Sequence, residues 1–500
     1  MEWTISVFIS VFLILFTAEN SQAFTNVYPK MKGYPLRASE DVGNPLFLTP
    51  YIESGKINEA RKIAAVQHKQ MADVQSYSGY LTVDKKFNSN MFFWFFPAEM
   101  NPKTAPVVLW LQGGPGATSL FGLFTENGPF IVTKNKTLAK REFRWSQNHH
   151  VLYIDNPVGT GYSFTEHSEG YANNETQVGE NLHRALVQFF QLFPELQKND
   201  FFVTGESYAG KYVPAVSYAI HTKKSTSPVK INLKGLAIGN GLTDPINQLN
   251  YGDYLYQLGL IDFNGLELFH AYQKRGMDFI NQSKYDEAFQ VFNEMIDGDL
   301  NSGPSLFENL TGFNFYFNYL KTHDSEEADW ISEWIQMPDV RKAIHVGNCS
   351  FQFEANEVEN HLKNDITRSE ADKVAILAEH YRVLIYNGQL DIIVAYPLTE
   401  NYLRNLKWVG AEAYKKAVRK TWMVDGEIAG YVKTVGNLSE VLVRNAGHMV
   451  PADQPKWAYD LISRFTHGKK IESFNLSRDF KQNVNIPKSL WPGKTTRTQD

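Results

Sequence analysis

Six short runs of apolar residues recur along this 500-residue chain, and segments with helical patterns lie between several of them: 107–111, 151–154, 201–203, 236–238, 383–386 and 441–443. Such runs suit strands that are buried on both faces of a sheet. Helices expected over 178–196 and 396–406 would cover those faces. Alternating polar and apolar residues over 77–96 predict an antiparallel hairpin before the first run. The pattern therefore predicts an α/β fold whose largely parallel central sheet is covered by helices.

The strand pattern stops between about 244 and 370, where segments such as 286–296 and 326–346 read as helical. We interpret this stretch as a helical cap insertion. Because ligands of open α/β folds bind at the carboxyl ends of the strands, a cap there would shape a pocket and limit water. The predicted organisation is a core in two parts, 24–243 and 371–480, with the insertion 244–370 between them and a polar tail over 481–500.

The first 23 residues read as a secretory signal peptide. An apolar run over 5–16 precedes small residues at 21–23, where a signal peptidase would cut. The segment before the run carries Glu2 and no Lys or Arg, which leaves an uncleaved anchor open, but the run is too short to span a bilayer comfortably. We therefore expect no transmembrane anchor in the mature protein, and a location in the secretory pathway, either secreted or in a lysosomal or vacuolar lumen.

Seven Asn-x-Ser/Thr sequons fit a chain that passes through a glycosylating compartment: Asn135, Asn174, Asn281, Asn309, Asn348, Asn437 and Asn475. Cys349 is the only cysteine, so no internal disulfide is possible, and we expect an inert thiol. With 54 acidic and 49 basic residues the net charge is −5, without long blocks of one sign. This balance gives no reason to expect a nucleic acid as partner, and the oligomeric state stays open.

The segment 201–210 has the pattern of a nucleophile elbow. An apolar run ends in Gly205, Ser207 follows two residues later, and a helix pattern begins after it. A serine on such a strand-to-helix turn has its hydroxyl pushed clear of the backbone, near a helix N-terminus that favours negative charge. The alternative is a serine in an ordinary strand-turn-helix connection. Ser207 is therefore the leading candidate for a nucleophile.

A serine hydroxyl needs a base to take its proton, and that base needs an anionic partner to orient it. Asp391 follows the predicted strand 383–386, and His448 follows the predicted strand 441–443. Taken alone, Asp391 could merely hydrogen-bond to its own turn, and His448 could be a loop histidine with ordinary hydrogen bonds. The order Ser207, Asp391, His448 is nevertheless that of the α/β-hydrolase triad. The expected fold is accordingly an α/β-hydrolase fold.

The tetrahedral intermediate of acyl transfer also needs backbone donors for its oxyanion. The glycine-rich segment 112–116 follows the predicted strand 107–111, where a loop without Cβ atoms can bring an amide close to a substrate. The alternative is a tight Gly-Pro turn. Together with the amide of Tyr208, this loop would complete an oxyanion hole. Nothing in the sequence resembles a metal-binding motif, so we expect neither metal nor cofactor.

Five motifs, in order over roughly 77–467, resemble those of the serine carboxypeptidases: Trp110-Leu111-Gln112-Gly113-Gly114-Pro115-Gly116, Asp155-Asn156-Pro157-Val158-Gly159, Gly205-Glu206-Ser207-Tyr208-Ala209-Gly210, Gly239-Asn240-Gly241 and Gly447-His448-Met449-Val450-Pro451. The Gln112 and Asn156 forms are most similar to the vitellogenic-carboxypeptidase-like branch. The resemblance implies that Ser207, Asp391 and His448 form the triad. It also implies that the amides of Gly114 and Tyr208 form the oxyanion hole.

The same resemblance places the binding of a substrate's terminal carboxylate on Gln112, Gly113, Glu126 and Glu206. Three carboxyl groups cannot all be ionised at one site without strong repulsion, so at least one glutamate should hold a proton and donate it in a hydrogen bond. Binding should then weaken as the pH rises. Without the resemblance, Glu206 would read as a turn residue and Glu126 as a helix surface residue.

This sequence departs from the family pattern at three places. Gln112 stands where many members have asparagine, and 117–119 lacks a cysteine that is common there. Leu242 falls where the family has a residue that lines the pocket for the acyl side of the substrate. The predicted function is a serine carboxypeptidase that acts on peptide and protein C-termini through an acyl-enzyme, favoured by acid. An acyltransferase on the same scaffold and a catalytically silent binding or protective homologue are the alternatives.

Overall fold

The structure of the protein is a computed structural model, and it describes residues 40–472 except 72, 299–302, 324–326 and 353–354. The predicted signal peptide, the tail 481–500 and the sequon at Asn475 lie outside the described residues.

Ten strands form one sheet in the order β1-β2-β6-β3-β7-β8-β9-β12-β11-β10, and β4 and β5 form a small antiparallel pair. Their bounds are β1 Tyr77–Asp84, β2 Ser89–Phe96, β3 Val107–Leu111, β4 Phe130–Val132, β5 Leu138–Lys140, β6 His150–Ile154, β7 Phe201–Glu206, β8 Leu233–Gly239, β9 Arg382–Gly388, β10 Lys420–Val424, β11 Glu427–Val435 and β12 Leu438–Val443.

Six consecutive strands of this order, β6, β3, β7, β8, β9 and β12, run parallel to one another, and they contain all six predicted apolar runs. The predicted hairpin over 77–96 is confirmed, because β1 pairs antiparallel with β2. The antiparallel hairpin β10–β11 at the opposite edge was not predicted. The predicted α/β class with a largely parallel sheet is therefore confirmed.

Helices cover the sheet and form the long connection between β8 and β9. The α-helices of the described residues are Thr49–Glu53, Ile57–Ala64, Ser119–Phe121, Glu175–Leu192, Ala209–Thr222, Tyr251–Gln257, Phe263–Asn281, Tyr285–Phe292, Leu306–Thr311, Glu327–Ile335, Pro338–Ala343, Asn356–Ile366, Ala371–His380, Tyr396–Asn405, Ala411–Lys416, Val450–Asp453 and Pro455–Thr466. Two π-helical segments are Gly122–Asn127 and Asn293–Asp297. Short 3₁₀ turns are Lys69–Met71, Trp145–Gln147, Ser168–Gly170, Pro194–Lys198 and Pro245–Asn247.

The core has one apolar layer on each face of the sheet, because successive side chains of a strand point to opposite faces. In β3, Val107, Leu109 and Leu111 belong to one buried cluster, whereas Val108 and Trp110 belong to the other. A third buried cluster joins helices of the 244–370 segment to residues that follow β9. The strands of the sheet are thus packed on both faces, and the long connection between β8 and β9 packs beside the residues that follow β9.

Candidate active site

Ser207 lies directly after β7, on a turn whose backbone is unusual for a side-chain-bearing residue. Its φ is 64°, in the left-handed region. Its amide donates to the carbonyl of Gly239 at 3.0 Å, and its carbonyl accepts from the amide of Leu242 at 3.1 Å. A Cβ on Gly205 would lie 2.7 Å from the Leu111 carbonyl oxygen, so the turn needs a glycine there. The sequence expectation of a sharp strand-to-helix turn is met, since the helix Ala209–Thr222 begins two residues later.

The structure brings Asp391 and His448 into direct contact. They follow β9 and β12, which are parallel neighbours, and His448 Nδ1 lies 2.9 Å from Asp391 Oδ2. Both side chains are fully buried. Because a carboxylate can only accept, His448 Nδ1 carries the proton and its Nε2 presents a lone pair. The ring stacks on Phe317 with 4.9 Å between ring centroids, and the His448 amide donates to the Phe317 carbonyl at 2.7 Å.

No hydrogen bond joins Ser207 to His448 in the described part of the chain, and His448 Nε2 is buried without a hydrogen-bond partner there. The structure therefore holds the Asp391–His448 pair assembled, with the acceptor position of the imidazole unfilled by protein. In enzymes without substrate, such hydrogen bonds are often long or poorly aligned and tighten when substrate binds.

Asn240 is a site residue whose contact was not predicted, although its Gly-Asn-Gly motif was recognised. It follows β8, the strand between those that carry Ser207 and Asp391. Its Nδ2 donates to Asp391 Oδ2 at 2.7 Å, and its Oδ1 accepts from the Gly388 amide at 3.1 Å. Asp391 Oδ2 thus accepts from Asn240 and His448 together. Asn240 fixes the carboxylate that orients the imidazole.

The glycine loop after β3 lies against the elbow. A Cβ on Gly113 would fall 2.5 Å from the Tyr208 amide nitrogen and 2.7 Å from Ser207 Cβ, so only glycine allows this approach. Gly114 has a φ of 106°, again a glycine conformation. The structure therefore brings the predicted oxyanion-hole segments, Gly114 and Tyr208, to the same place as Ser207.

The segment 117–119, which follows the glycine loop and lacks the cysteine common in the family, is held by hydrogen bonds to Asp155. Asp155 Oδ1 accepts from Thr118 Oγ1 at 2.5 Å and from the Ser119 amide at 3.0 Å, while its Oδ2 accepts from the Tyr162 amide at 2.8 Å. Ser119 Oγ donates to the Ile154 carbonyl at 2.7 Å. A buried polar network thus anchors the loop without a disulfide.

Glu126 and Glu206 are fully buried and share one donor. Gln112 Nε2 donates to Glu126 Oε1 and to Glu206 Oε1, each at 3.1 Å. Trp110 Nε1 donates to Gln112 Oε1 at 2.9 Å, which fixes the orientation of the amide. The second oxygen of each glutamate, Oε2, is also buried. The two carboxyl groups also hydrogen-bond one another, so the cluster places two neighbouring carboxyls beside the elbow.

Burial raises the pKa of Glu126 from an ordinary 4.5 to about 7. Burial also raises the pKa of Glu206 well above its ordinary value, and the negative charge of Glu126 raises it further. Desolvation penalises the charged form, and two neighbouring carboxylates repel one another. Both groups therefore hold protons in mildly acidic solution and can donate hydrogen bonds.

A pocket opens beside Ser207 on the Tyr208 side. Leu242, predicted to line the acyl-side pocket, is one of its walls. Three other apolar walls come from the long connection between β8 and β9: Phe289, Phe292 and Ile366. A fourth, Ile393, follows β9. The Ala355 amide donates to the Gly116 carbonyl at 3.1 Å, so the same connection also touches the glycine loop.

Of the six sequons within the described residues, Asn135, Asn281, Asn309, Asn348 and Asn437 are exposed. Asn174 is half-buried and caps the helix Glu175–Leu192, its side-chain oxygen accepting from the Gln177 amide at 3.0 Å. Burial raises the pKa of the Cys349 thiol, which favours the unreactive protonated form.

Within residues 40–472 as described, no helix is long and apolar enough to cross a membrane. The same residues contain no group of three or more His, Cys, Asp or Glu side chains placed to hold a metal ion.

Comparison with known proteins gives concordant matches. The serine carboxypeptidase family pattern matches residues 67–468. The venom serine carboxypeptidase of Apis mellifera is 66% identical over 456 residues, which cover 91% of this chain and 98% of that protein. The vitellogenic carboxypeptidase of Aedes aegypti is 51% identical over 463 residues, covering 91% and 98% respectively.

Among solved structures, the prohormone-processing carboxypeptidase Kex1 of Saccharomyces cerevisiae has the same fold. It superposes with a TM-score of 0.72 at 24% identity, covering 83% of this chain and 98% of the yeast chain. The sheet order and the helices on both faces are those of an α/β-hydrolase fold. With the family pattern over most of its length and two relatives above half identity, this chain belongs to the serine carboxypeptidase family.

Proposed function

We propose that this serine-type carboxypeptidase releases single residues from peptide and protein C-termini, with Ser207 as nucleophile, His448 as base and Asp391 as the group that orients the base. The carrying observation is the buried Glu126–Gln112–Glu206 cluster beside the elbow. Carboxyl groups that stay neutral can donate hydrogen bonds to a carboxylate. An enzyme that cleaves internal peptide bonds meets no terminal carboxylate next to the reacting bond. Family membership supports the same reaction.

In the first chemical step, Ser207 Oγ attacks the carbonyl carbon of the last peptide bond while His448 Nε2 takes its proton. Rotation of the Ser207 side chain on substrate binding would bring Oγ to the unfilled Nε2. Asp391, fixed by Asn240, stabilises the imidazolium that forms. The amides of Gly114 and Tyr208 would donate to the oxyanion.

In the second half of the reaction, His448 returns the proton to the leaving amine, which departs as the free C-terminal residue. The acyl group remains bonded to Ser207 Oγ. Water then attacks this ester with His448 again as base, and Ser207 Oγ is restored. The shortened peptide leaves with a new carboxylate.

The terminal carboxylate would bind beside the carboxyl groups of Glu126 and Glu206, with the Gly113 amide as a further donor. Since both donors depend on protonated glutamates, binding should be best in mild acid. Gln112 positions both carboxyl groups through its own amide hydrogens.

We further propose that the 244–370 segment acts as a cap, since residues from it wall the pocket beside Ser207. Removal of 1–23 as a signal peptide would place the enzyme in the secretory pathway, in the extracellular space or a lysosomal or vacuolar lumen. Glycans on exposed sequons such as Asn135 and Asn348 fit that route.

A dipeptide with a blocked N-terminus, compared with its C-terminal amide, tests the proposed function. Wild-type protein should release the last residue from the free acid in mild acid and act far more slowly on the amide. Ser207→Ala should retain the fold, checked by thermal unfolding, and lose activity by about 10⁴- to 10⁶-fold. Cleavage of neither compound would favour a silent homologue, and transfer of the acyl group to an added alcohol in preference to water would favour an acyltransferase.

A further inference from the structure

A segment of the long connection, 316–319, is bonded to the loop that carries Asp391. The first residue of the segment accepts, through its carbonyl, from the Ile392 amide at 3.1 Å. Its last residue donates, through its amide, to the Leu390 carbonyl at 2.9 Å. The segment is therefore fixed by backbone hydrogen bonds to the residues on both sides of Asp391.

The same segment is also bonded to the loop that carries His448. The Phe317 carbonyl accepts from the His448 amide, and the Phe317 ring stacks on the imidazole. The approach is close, because a Cβ on Gly447 would lie 2.2 Å from the Phe317 carbonyl oxygen, and only glycine fits before the histidine. One piece of the chain thus contacts both loops whose side chains must stay paired.

Asp453 joins the histidine loop to the segment 316–319. Its Oδ2 accepts from the Gly447 amide at 2.7 Å and from Asn318 Nδ2 at 3.1 Å. The Asn318 side chain is 6% exposed, and its Oδ1 accepts from the Leu320 amide at 3.0 Å, which fixes the direction of its amide hydrogens. Hydrogen bonds to a carboxylate are stronger than those between neutral groups. One oxygen atom therefore holds the backbone next to the imidazole.

The position of this loop matters because the imidazole has to meet two partners at once. His448 Nδ1 lies 2.9 Å from Asp391 Oδ2, while Nε2 must come within hydrogen-bond reach of the serine hydroxyl. A displacement of about 1 Å in a reacting group can lower a rate by about 10²-fold. A histidine loop released from segment 316–319 would let the imidazole tilt away from the carboxylate.

We propose that Asp453 is a positioning residue that keeps His448 aligned for proton transfer. It acts through Gly447 and Asn318 and touches no reacting atom itself. The inference rests on the proposed role of His448 as base. Because both hydrogen bonds of Asp453 Oδ2 end on the histidine loop or on segment 316–319, its loss should slow the chemical step and leave substrate binding unchanged.

Two assays test this proposal in the wild type and in the variants Asp453→Ala, Asp453→Asn and Lys321→Gln. The first is steady-state cleavage of a dipeptide with a blocked N-terminus in mild acid, which separates kcat from KM. The second is the rate at which a fluorophosphonate phosphonylates Ser207 as fluoride leaves, a reaction that needs the base but no peptide. Lys321→Gln is the matched control, because this exposed lysine faces the other oxygen of Asp453, Oδ1, at 3.7 Å.

Asp453→Ala should lower kcat and the labelling rate together, by about 10- to 100-fold, with KM within about twofold of the wild type. Asp453→Asn keeps a side-chain oxygen that can accept both hydrogens, so both rates should stay within about threefold of the wild type. Lys321→Gln should match the wild type. A purely structural role would lower the thermal midpoint without changing both rates by one factor.

Asn318→Ala removes the partner on the other side of the same contact. It should lower both rates as well, and combining it with Asp453→Ala should cause no further fall, because the two side chains act as one unit. This variant keeps the proposal testable if Asp453→Ala does not fold.

Wild-type rates in folded Asp453→Ala would overturn the proposal, and so would an equal loss in Asp453→Asn. A raised KM with an unchanged kcat would overturn it too, since Asp453 would then act on substrate binding. If Ser207 is labelled with the expected dependence on Asp453 but wild-type protein cleaves no dipeptide, the carboxypeptidase reaction fails and this inference stands.

Discussion

Replacing Glu126 and Glu206 together by glutamine separates carboxylate recognition from the chemical step. Glutamine is nearly the same size and keeps a hydrogen-bond donor that does not titrate. In the wild type, Glu126 loses its proton as the pH passes about 7, and a negative charge then faces the carboxylate of the substrate. The double variant should keep its donors at every pH.

The magnitude follows from the raised pKa of Glu126. With a pKa of about 7, the protonated fraction falls from nearly all at pH 5 to roughly a tenth at pH 8, by the definition of the pKa. The kcat/KM for a free-acid dipeptide, relative to that for its C-terminal amide, should therefore fall about tenfold between these two pH values. His448 acts on both compounds, so its effect on the chemical step cancels in the ratio.

The assay measures kcat/KM for both compounds at pH 5, 6, 7 and 8 in wild type, the double variant and Glu175→Gln. Glu175→Gln is a matched control because Glu175 is also buried and burial also raises its pKa. Glu175 lies at the start of the helix Glu175–Leu192, outside the Glu126–Gln112–Glu206 cluster. Glu175→Gln should keep the wild-type slope, and the double variant should be flat. A flat wild-type ratio, or a tenfold fall that survives in the double variant, would refute the account of carboxylate binding.

Three further outcomes follow from the contacts. Asn240→Ala removes a hydrogen bond to Asp391 Oδ2, and steady-state kinetics should show kcat lowered by about ten- to a hundredfold, with a shifted pH profile; an unchanged profile would leave Asn240 as a packing residue only. Gly113→Ala brings a Cβ against the Tyr208 amide, and the displaced loop should lower kcat by about 10²; wild-type turnover would contradict this approach. Because the folded pKa of Glu126 exceeds 4.5, the folded state binds this proton more tightly. Its contribution to the free energy of unfolding is complete below pH 4.5 and lost by about pH 7, by about 3 kcal/mol, and urea unfolding of Glu126→Gln should show a correspondingly smaller fall.

The central sheet could be predicted because its strands are buried on both faces and therefore read as continuous apolar runs. The β10–β11 hairpin could not, since its edge strands mix polar and apolar residues; β11, for example, begins with the exposed Glu427 and Ile428. The order Ser207, Asp391, His448 was readable because each follows a predicted strand. Their catalytic roles remain proposals.

Other parts of the site depend on contacts distant in sequence. Gln112 is 94 residues from Glu206, and a resemblance, rather than any local pattern, placed them together. Asn240 was noticed as part of a turn, but its contact with Asp391, 151 residues away, depends on the adjacency of β8 and β9. Segment 316–319 reaches the loop of Asp391 through the packing of the long connection, which leaves no periodic signature in the sequence.

Covalent labelling tests the central claim most directly. A fluorophosphonate reagent reacts with a serine that a neighbouring base activates, and peptide mass spectrometry locates the adduct. We predict one adduct, on Ser207, whose formation is about 10²- to 10⁴-fold slower in His448→Ala, the contribution of a general base. An adduct on another serine, or an undiminished labelling rate in His448→Ala, would contradict the proposal that Ser207 is activated by His448.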